Sequence, residues 1–203
     1  MNAVKTPLFG LAWLVAIVLG ARVLLSYESS PGCIGTIPKS WPSESKLEPA
    51  IGRPTLVMLV HPQCPCTRAS INELAKIMAR AKGGLQAYVL IWQPPGSPAD
   101  WANTNVKTIA QSIPGVRVLN DVNGEESRRF GAETSGHTVL FTATGHLLFS
   151  GGITQSRGHE GDNVGESAII SLLDDEKMAA PRSTSVFGCR FATRPGKTDL
   201  WSK

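Results

Sequence analysis

Two stretches of this chain, TLVMLV (residues 55–60) and QAYVLIW (86–92), are nearly unbroken apolar runs of strand length. Neither alternates with polar residues as a strand with one wet face would, so each suits a strand covered on both sides. Between them, residues 65–82 place Ala69, Leu74, Ile77, Met78 and Ala81 at spacings of three to five, the pattern of an amphipathic helix, which ends at Gly83-Gly84. A buried strand, a helix and a second buried strand imply a parallel pair joined by a right-handed crossover. That places the chain in the α/β class.

The alternation continues downstream. QPPGSP breaks the chain, residues 99–113 suit a weaker helix closed by Pro114-Gly115, and VRVLND (116–121) is a third, shorter strand. EESRRFG (125–131) reads as a brief helical turn, TVLFTATGHLLFSG (138–151) as a hairpin about a Thr-Gly turn, and GESAIISLLDDEKM (165–178) as the last helix. The hairpin adds antiparallel neighbours to the sheet. At 203 residues the chain holds one domain with a proper core and some appendages. Residues 27–54, rich in Pro, Ser and Gly, read as a tether, residues 55–180 as the domain, and residues 181–203 as a tail crossing its surface.

Ahead of the tether, Pro7 to Leu25 is apolar except for Arg22, close to the ~20 residues a helix needs to span a bilayer. Arg22 lies near the far end, where its stem can snorkel to the interface. Residues 1–26 are therefore expected to be an uncleaved membrane anchor; a cleaved signal peptide is the alternative, weakened because Arg22 follows Ala21 and bulky residues come next. Lys5 precedes the span and SYESSPG after it has no Lys or Arg, so the N-terminus is expected inside and the rest outside the cytoplasm. This predicts a single-pass protein of a bacterial inner (cytoplasmic) membrane with its C-terminal domain in the periplasm, where cysteine pairs persist as disulfides. The net charge of +4 comes from scattered Lys and Arg with few aromatics, which argues against a nucleic-acid partner.

The chemistry centres on HPQCPCTRAS (61–70), where a buried strand runs into a helix through two cysteines split by one proline. With Cys64 as N-cap and Pro65 at the first helical position, Cys64 faces the free N–H groups and the positive end of the helix dipole. Such a site lowers a thiol pKa, and Arg68 is close enough in sequence to add to the effect. Cys64 is then the nucleophile and Cys66 the resolving partner. Two small buried residues that happen to be cysteines are the plainer alternative. A disulfide between residues two apart closes a small, strained ring, so the couple is expected to be relatively oxidising.

HPQCPCTRAS and SGHTVLFTATGHLLFSGGITQSRGHEGDN (135–163) resemble the thioredoxin-like superfamily, and within it the membrane-anchored RedB-type thiol–disulfide oxidoreductase-like proteins of bacteria. The resemblance covers roughly residues 50–190. It implies a thioredoxin-like fold, a central mixed sheet flanked by helices, here preceded by the transmembrane helix. It also implies exchange with protein or small-molecule thiols and disulfides outside the cytoplasm, with no cofactor. Two departures stand out. Thioredoxins have two residues between their cysteines where this chain has one, and His137 stands where they carry the cis-proline that faces the disulfide. By the family's geometry His137 would lie near Cys64 and Cys66; otherwise it is a surface or hairpin-capping histidine.

Cys33 in the tether and Cys189 in the tail are open to three readings: a structural disulfide between them, Cys189 as an extra resolving thiol, or two unpaired thiols. Arg157, His159, Glu160 and Asp162 gather on a glycine-rich loop that either lies beside the site or simply caps the last helix through Asp162 or Asn163. Two rivals to the oxidoreductase remain. Cys64 and Cys66 with His61 or His137 offer sulfur and imidazole to Cu(I), which suits a copper-delivery protein. A thiol peroxidase using Cys64 alone lacks the Thr or Ser that peroxiredoxins place three residues earlier, since His61 stands there. No nucleotide-binding fingerprint is present, so electrons must come from another protein or thiol.

Overall fold

The computed structural model describes residues 5–98, 100–174 and 182–191, with side chains from Phe9 onward. The chain divides into two units, Met1–Ser30 and Pro31–Lys203. The first contains helix α1 (Lys5–Glu28). Its segment Phe9–Glu28 has a mean hydropathy of 2.1 and buries none of its surface within the protein. Apolar on all sides and 20 residues long, this segment has the length and composition to cross a membrane.

The second unit is built on a five-stranded mixed sheet in the order β3-β2-β1-β4-β5. Its strands are β1 (Thr55–Val60), β2 (Gln86–Gln93), β3 (Val116–Val122), β4 (His137–Phe141) and β5 (Leu147–Gly151). β1 pairs in parallel with β2, and β2 with β3, whereas β4 runs antiparallel to both β1 and β5. All six residues of β1 are buried, as its unbroken apolar run requires.

Alternation along the central strands divides the core into two layers. Leu56, Met58 and Val60 point to the side of helices α2 (Thr67–Ala81) and α5 (Val164–Leu173), where they meet Ile71, Leu74, Ile77 and Ile169. Val57 and Leu59 point the other way, into an aromatic layer of Tyr88, Trp92, Phe130, Phe141 and Phe191. On this side Asp121, at the end of β3, accepts from the amides of Glu126 and Ser127 and so fixes the first turn of α4 (Glu125–Arg129).

Several boundaries differ from those the sequence suggests. The supposed tether is packed onto the domain from Pro31 onward: Leu47 and Ala50 are buried, and Trp41 meets the rings of Phe130 and Phe141 edge-on. The Glu126 carboxylate holds this segment through the Ser45 hydroxyl (2.6 Å) and the Lys46 amide (3.1 Å). Its small residues permit close packing, and with no helical or strand period it gives no sign of this from sequence. Helix α3 is shorter than expected, Asn105–Gln111, because the preceding residues turn to bury Ala102 and to bring Trp101 Nε1 to the carbonyl of Trp92 (3.3 Å). The ends expected for the last helix (175–178) and for the tail (181 and 192–203) lie outside the described residues.

Candidate functional site

The parallel strands β1 and β2 end at the same edge of the sheet, and the chain leaves β1 there through a turn rather than directly into a helix. The Cys64 amide donates to the His61 carbonyl (3.1 Å) and the Thr67 amide to the Cys64 carbonyl (3.1 Å), so His61–Thr67 forms two successive tight turns. The Ser135 hydroxyl clamps them, accepting from the His61 amide and sharing a hydrogen bond with Thr67 Oγ1, both at 2.8 Å. Helix α2 therefore begins at Thr67 with Cys66 as its N-cap, two residues later than the sequence suggests. Pro65 is an exposed residue of the turn and not the first residue of the helix.

Both cysteines of the pair are buried, Cys64 at 3% and Cys66 at 8% relative exposure. The Cys64 sulfur is flanked by Cys66 and Cys189, whose thiols and backbone amides all favour its ionised form. The Cys189 amide stands 3.3 Å from Sγ. The Cys189 thiol does most, then the Cys66 thiol, to hold Cys64 far below the ordinary thiol range against the opposing effect of burial. Conversely, donation to Cys64, together with burial, pushes the thiols of Cys66 and Cys189 upward. Ionisation at the centre is thus favoured on Cys64 over Cys66 and Cys189.

Arg157 completes the site. Its Nη1 donates to the Gly188 carbonyl (2.5 Å), and its guanidinium favours ionisation of both Cys66 and Cys189. The loop is held in place by α2, whose buried Glu73 accepts from the Gly161 amide (2.8 Å) and whose Asn72 donates to Glu160 (2.8 Å). The same loop caps α5, since Asn163 Oδ1 accepts from the Glu166 amide at 2.8 Å. The capping reading of this loop therefore holds through Asn163, and of the loop's charged residues it is Arg157 that lies at the sulfurs. Arg68, by contrast, is exposed, and Arg157 is the cation at the sulfurs.

His61 lies against Trp92 (ring centroids 5.1 Å apart, planes 28° apart), and Trp92 in turn stacks on Phe191 (5.6 Å, 15°). Burial lowers the His61 pKa, partly offset by the Cys64 charge. Its Nδ1 accepts from the Gln63 amide (3.1 Å), so the neutral ring carries its proton on Nε2. His137 is fully buried at the start of β4, with Nε2 bonded to the Ser150 hydroxyl (2.8 Å) and Nδ1 without a hydrogen-bond partner. Neither cysteine is among its hydrogen-bond partners. Among the described residues no group of three or more His, Cys, Asp or Glu side chains is arranged to hold a metal ion.

The disulfide between Cys33 and Cys189 considered from sequence is not formed: all four cysteines are free. Cys33 is exposed, and its carbonyl accepts from Thr134 Oγ1 (2.6 Å). Cys189 is brought to Cys64 by β-type pairing of the tail with residues 133–135: Ser135 N–H donates to the Cys189 carbonyl and Phe191 N–H to the Glu133 carbonyl, both at 2.8 Å. Ser135, Trp92 and Phe191 carry no local signal of a role at the site, and only their tertiary placement reveals it.

With this geometry established, the chain can be set beside known proteins. No protein-family profile matches it, and no curated protein does. Among solved structures it is similar to an uncharacterized conserved protein from Geobacillus kaustophilus (18% identity, 84% of this chain and 97% of that one, TM-score 0.58). It is also similar to a hypothetical protein from Sinorhizobium meliloti (16%, 81% and 96%, TM-score 0.57). The fold is thioredoxin-like. A more distant likeness is to a secreted Mycobacterium tuberculosis disulfide oxidoreductase homologous to E. coli DsbE (14%, 60% and 83%, TM-score 0.44).

Proposed function

We propose that this chain is a membrane-tethered, extracytoplasmic thiol–disulfide oxidoreductase of the RedB type, in which Cys64 attacks and Cys66 resolves. One observation carries the reading: a buried sulfur at a strand-to-helix turn accepts from the Cys189 amide at 3.3 Å, with the Cys66 and Cys189 thiols favouring its ionised form. A thiolate so stabilised is the attacking group that forms a mixed disulfide, and Cys66, two residues away, resolves it by attacking Cys64 Sγ and expelling the substrate thiolate. The thioredoxin-like fold and the apolar helix α1 support the same reading. The anchor would lie in a bacterial cytoplasmic membrane with Lys5 inside and the domain in the periplasm.

The direction of exchange follows from which state the protein stabilises. Hydrogen bonds to a thiolate exist only in the reduced centre, and the small Cys-Pro-Cys ring disfavours the oxidised one. Both effects raise the potential. The couple is expected to be more oxidising than thioredoxin, at about −270 mV, and suited to donating or shuffling disulfides. The test equilibrates the full-length protein, in detergent, with glutathione redox buffers with and without Cu(I), reading Cys64 and Cys66 by alkylation and mass. A two-electron couple above the thioredoxin value, unaffected by copper, is the expected result. One Cu(I) per chain held tightly enough to protect both thiols would replace this reading with copper delivery.

A further inference from the structure

Of the three thiols at the site, those of the sequence pair are the most buried and Cys189 the least. The tail that carries Cys189 is seated firmly. Val186 and Phe191 are buried, and the Gly32 amide donates to the Val186 carbonyl (2.8 Å). Gly188 passes so close to residue 135 that a Cβ on it would come within 2.0 Å of the Ser135 carbonyl oxygen, so only glycine fits. The backbone of residues 133–135, beside Cys64, is thus hydrogen-bonded to this chain's own residues 189–191. An incoming polypeptide cannot pair with that backbone while the tail is in place, and the sulfur most open to it is Cys189.

We propose that Cys189 is a third redox thiol, relaying disulfides between dithiols outside and the buried Cys64–Cys66 couple. The proposal rests on the reading of Cys64–Cys66 as a redox couple and assigns that couple its route of access. In the oxidising direction the Cys189 thiolate attacks Cys64 Sγ; the Cys64–Cys189 bond forms, the Cys64–Cys66 bond breaks, and Cys66 leaves as a thiolate that takes up a proton. A substrate thiolate then attacks Cys189 Sγ, forming a mixed disulfide and expelling Cys64 as the stabilised thiolate. The substrate's second thiol displaces Cys189, which is reprotonated. The substrate loses two electrons and two protons, and the Cys64–Cys66 disulfide gains the two electrons. Arg157, which touches Gly188 and favours ionisation of Cys66 and Cys189 alike, stands where charge passes between them.

Three measurements on the full-length protein in detergent test the relay. Cys66→Ser, oxidised with glutathione disulfide, is expected to yield a Cys64–Cys189 cross-linked peptide pair on mapping; glutathione on Cys64 with Cys189 still alkylatable would overturn the proposal. Oxidised wild type mixed with a single-cysteine peptide and quenched in acid is expected to carry the peptide on Cys189; the peptide on Cys64 would overturn it. Cys189→Ser keeps the amide that faces Cys64 and is expected to oxidise a dithiol peptide at least tenfold more slowly; an unchanged rate would overturn the relay. If the Cys64–Cys66 couple fails to titrate in glutathione buffers even in wild type, the oxidoreductase reading falls as well, which separates the two failures.

Discussion

Cys64 has two thiol partners that reach it by opposite routes. Cys66 is two residues away and is placed by the tight turns of its own stretch, which Ser135 clamps. Cys189 is 125 residues away and is placed by pairing of the tail with residues 133–135 and by the seating of Phe191 in the aromatic layer. The first is local geometry, robust and visible in the sequence. The second depends on tertiary packing, yet the Cys189 thiol does most to lower the Cys64 pKa. The site is therefore only as well formed as the tail is docked.

The largest expected effect ignores the distinction. Cys64→Ser, which removes the sulfur that both partners address, should reduce dithiol oxidation to the uncatalysed background in an insulin- or peptide-dithiol assay, while Cys66→Ser and Cys189→Ser each retain some exchange. Phe191→Ala breaks the distant route alone. Truncating a fully buried phenylalanine costs about 3–5 kcal/mol, and detaching the tail should also raise the Cys64 pKa. Chemical denaturation and thiolate absorbance would show both, whereas a loss of stability with no change at Cys64 would mean that the tail does not tune the thiolate.

A pH effect separates the site from the scaffold beneath it. Burial lowers the His137 pKa to about 4, from an ordinary value near 6.5. The neutral ring's contribution is fully present above about pH 6.5 and is lost as pH falls toward 4, where the unfolded chain binds a proton that the folded one refuses. The loss should approach about 3 kcal/mol, measurable as a falling denaturation midpoint, and His137→Gln should flatten it. The smallest effects compare two arginines. Arg157→Gln should cost roughly 1–2 kcal/mol through the lost charged hydrogen bond to Gly188 and raise the thiol pKa values of Cys66 and Cys189. Arg68→Gln, on an exposed surface, should stay within about 0.5 kcal/mol and leave the thiols alone.

How much of this the sequence shows depends on how local each feature is. The alternation of apolar runs with a helical period announces β1, α2 and β2, and TVLFTATGHLLFSG announces the hairpin, since neighbours in sequence decide those elements. The Cys-Pro-Cys pair is legible for the same reason. The packed stretch from Pro31 to β1 is not, because Trp41 and Leu47 find partners in Phe130 and Phe141 that no local pattern foretells. Nor is the choice between Arg68 and Arg157 as the cation at the sulfurs: sequence proximity favours the first, while the Glu73 and Asn72 contacts with the loop bring in the second. His137 falls where the thioredoxin pattern places a proline, but its ring is committed to Ser150. The described residues contain no cis peptide bond, and at Gly136 a φ of +87° makes the turn into β4 instead.

The central claim is that Cys64 is the thiolate of the reduced centre, favoured by the Cys189 amide 3.3 Å from its sulfur and by the thiols of Cys66 and Cys189. The direct measurement is the absorbance of the thiolate at 240 nm against pH, wild type minus Cys64→Ser, on the reduced full-length protein. One thiolate per chain persisting well below pH 7 and missing from the variant is the predicted result. A difference that appears only as pH approaches the ordinary thiol value of about 8.5 would contradict the account.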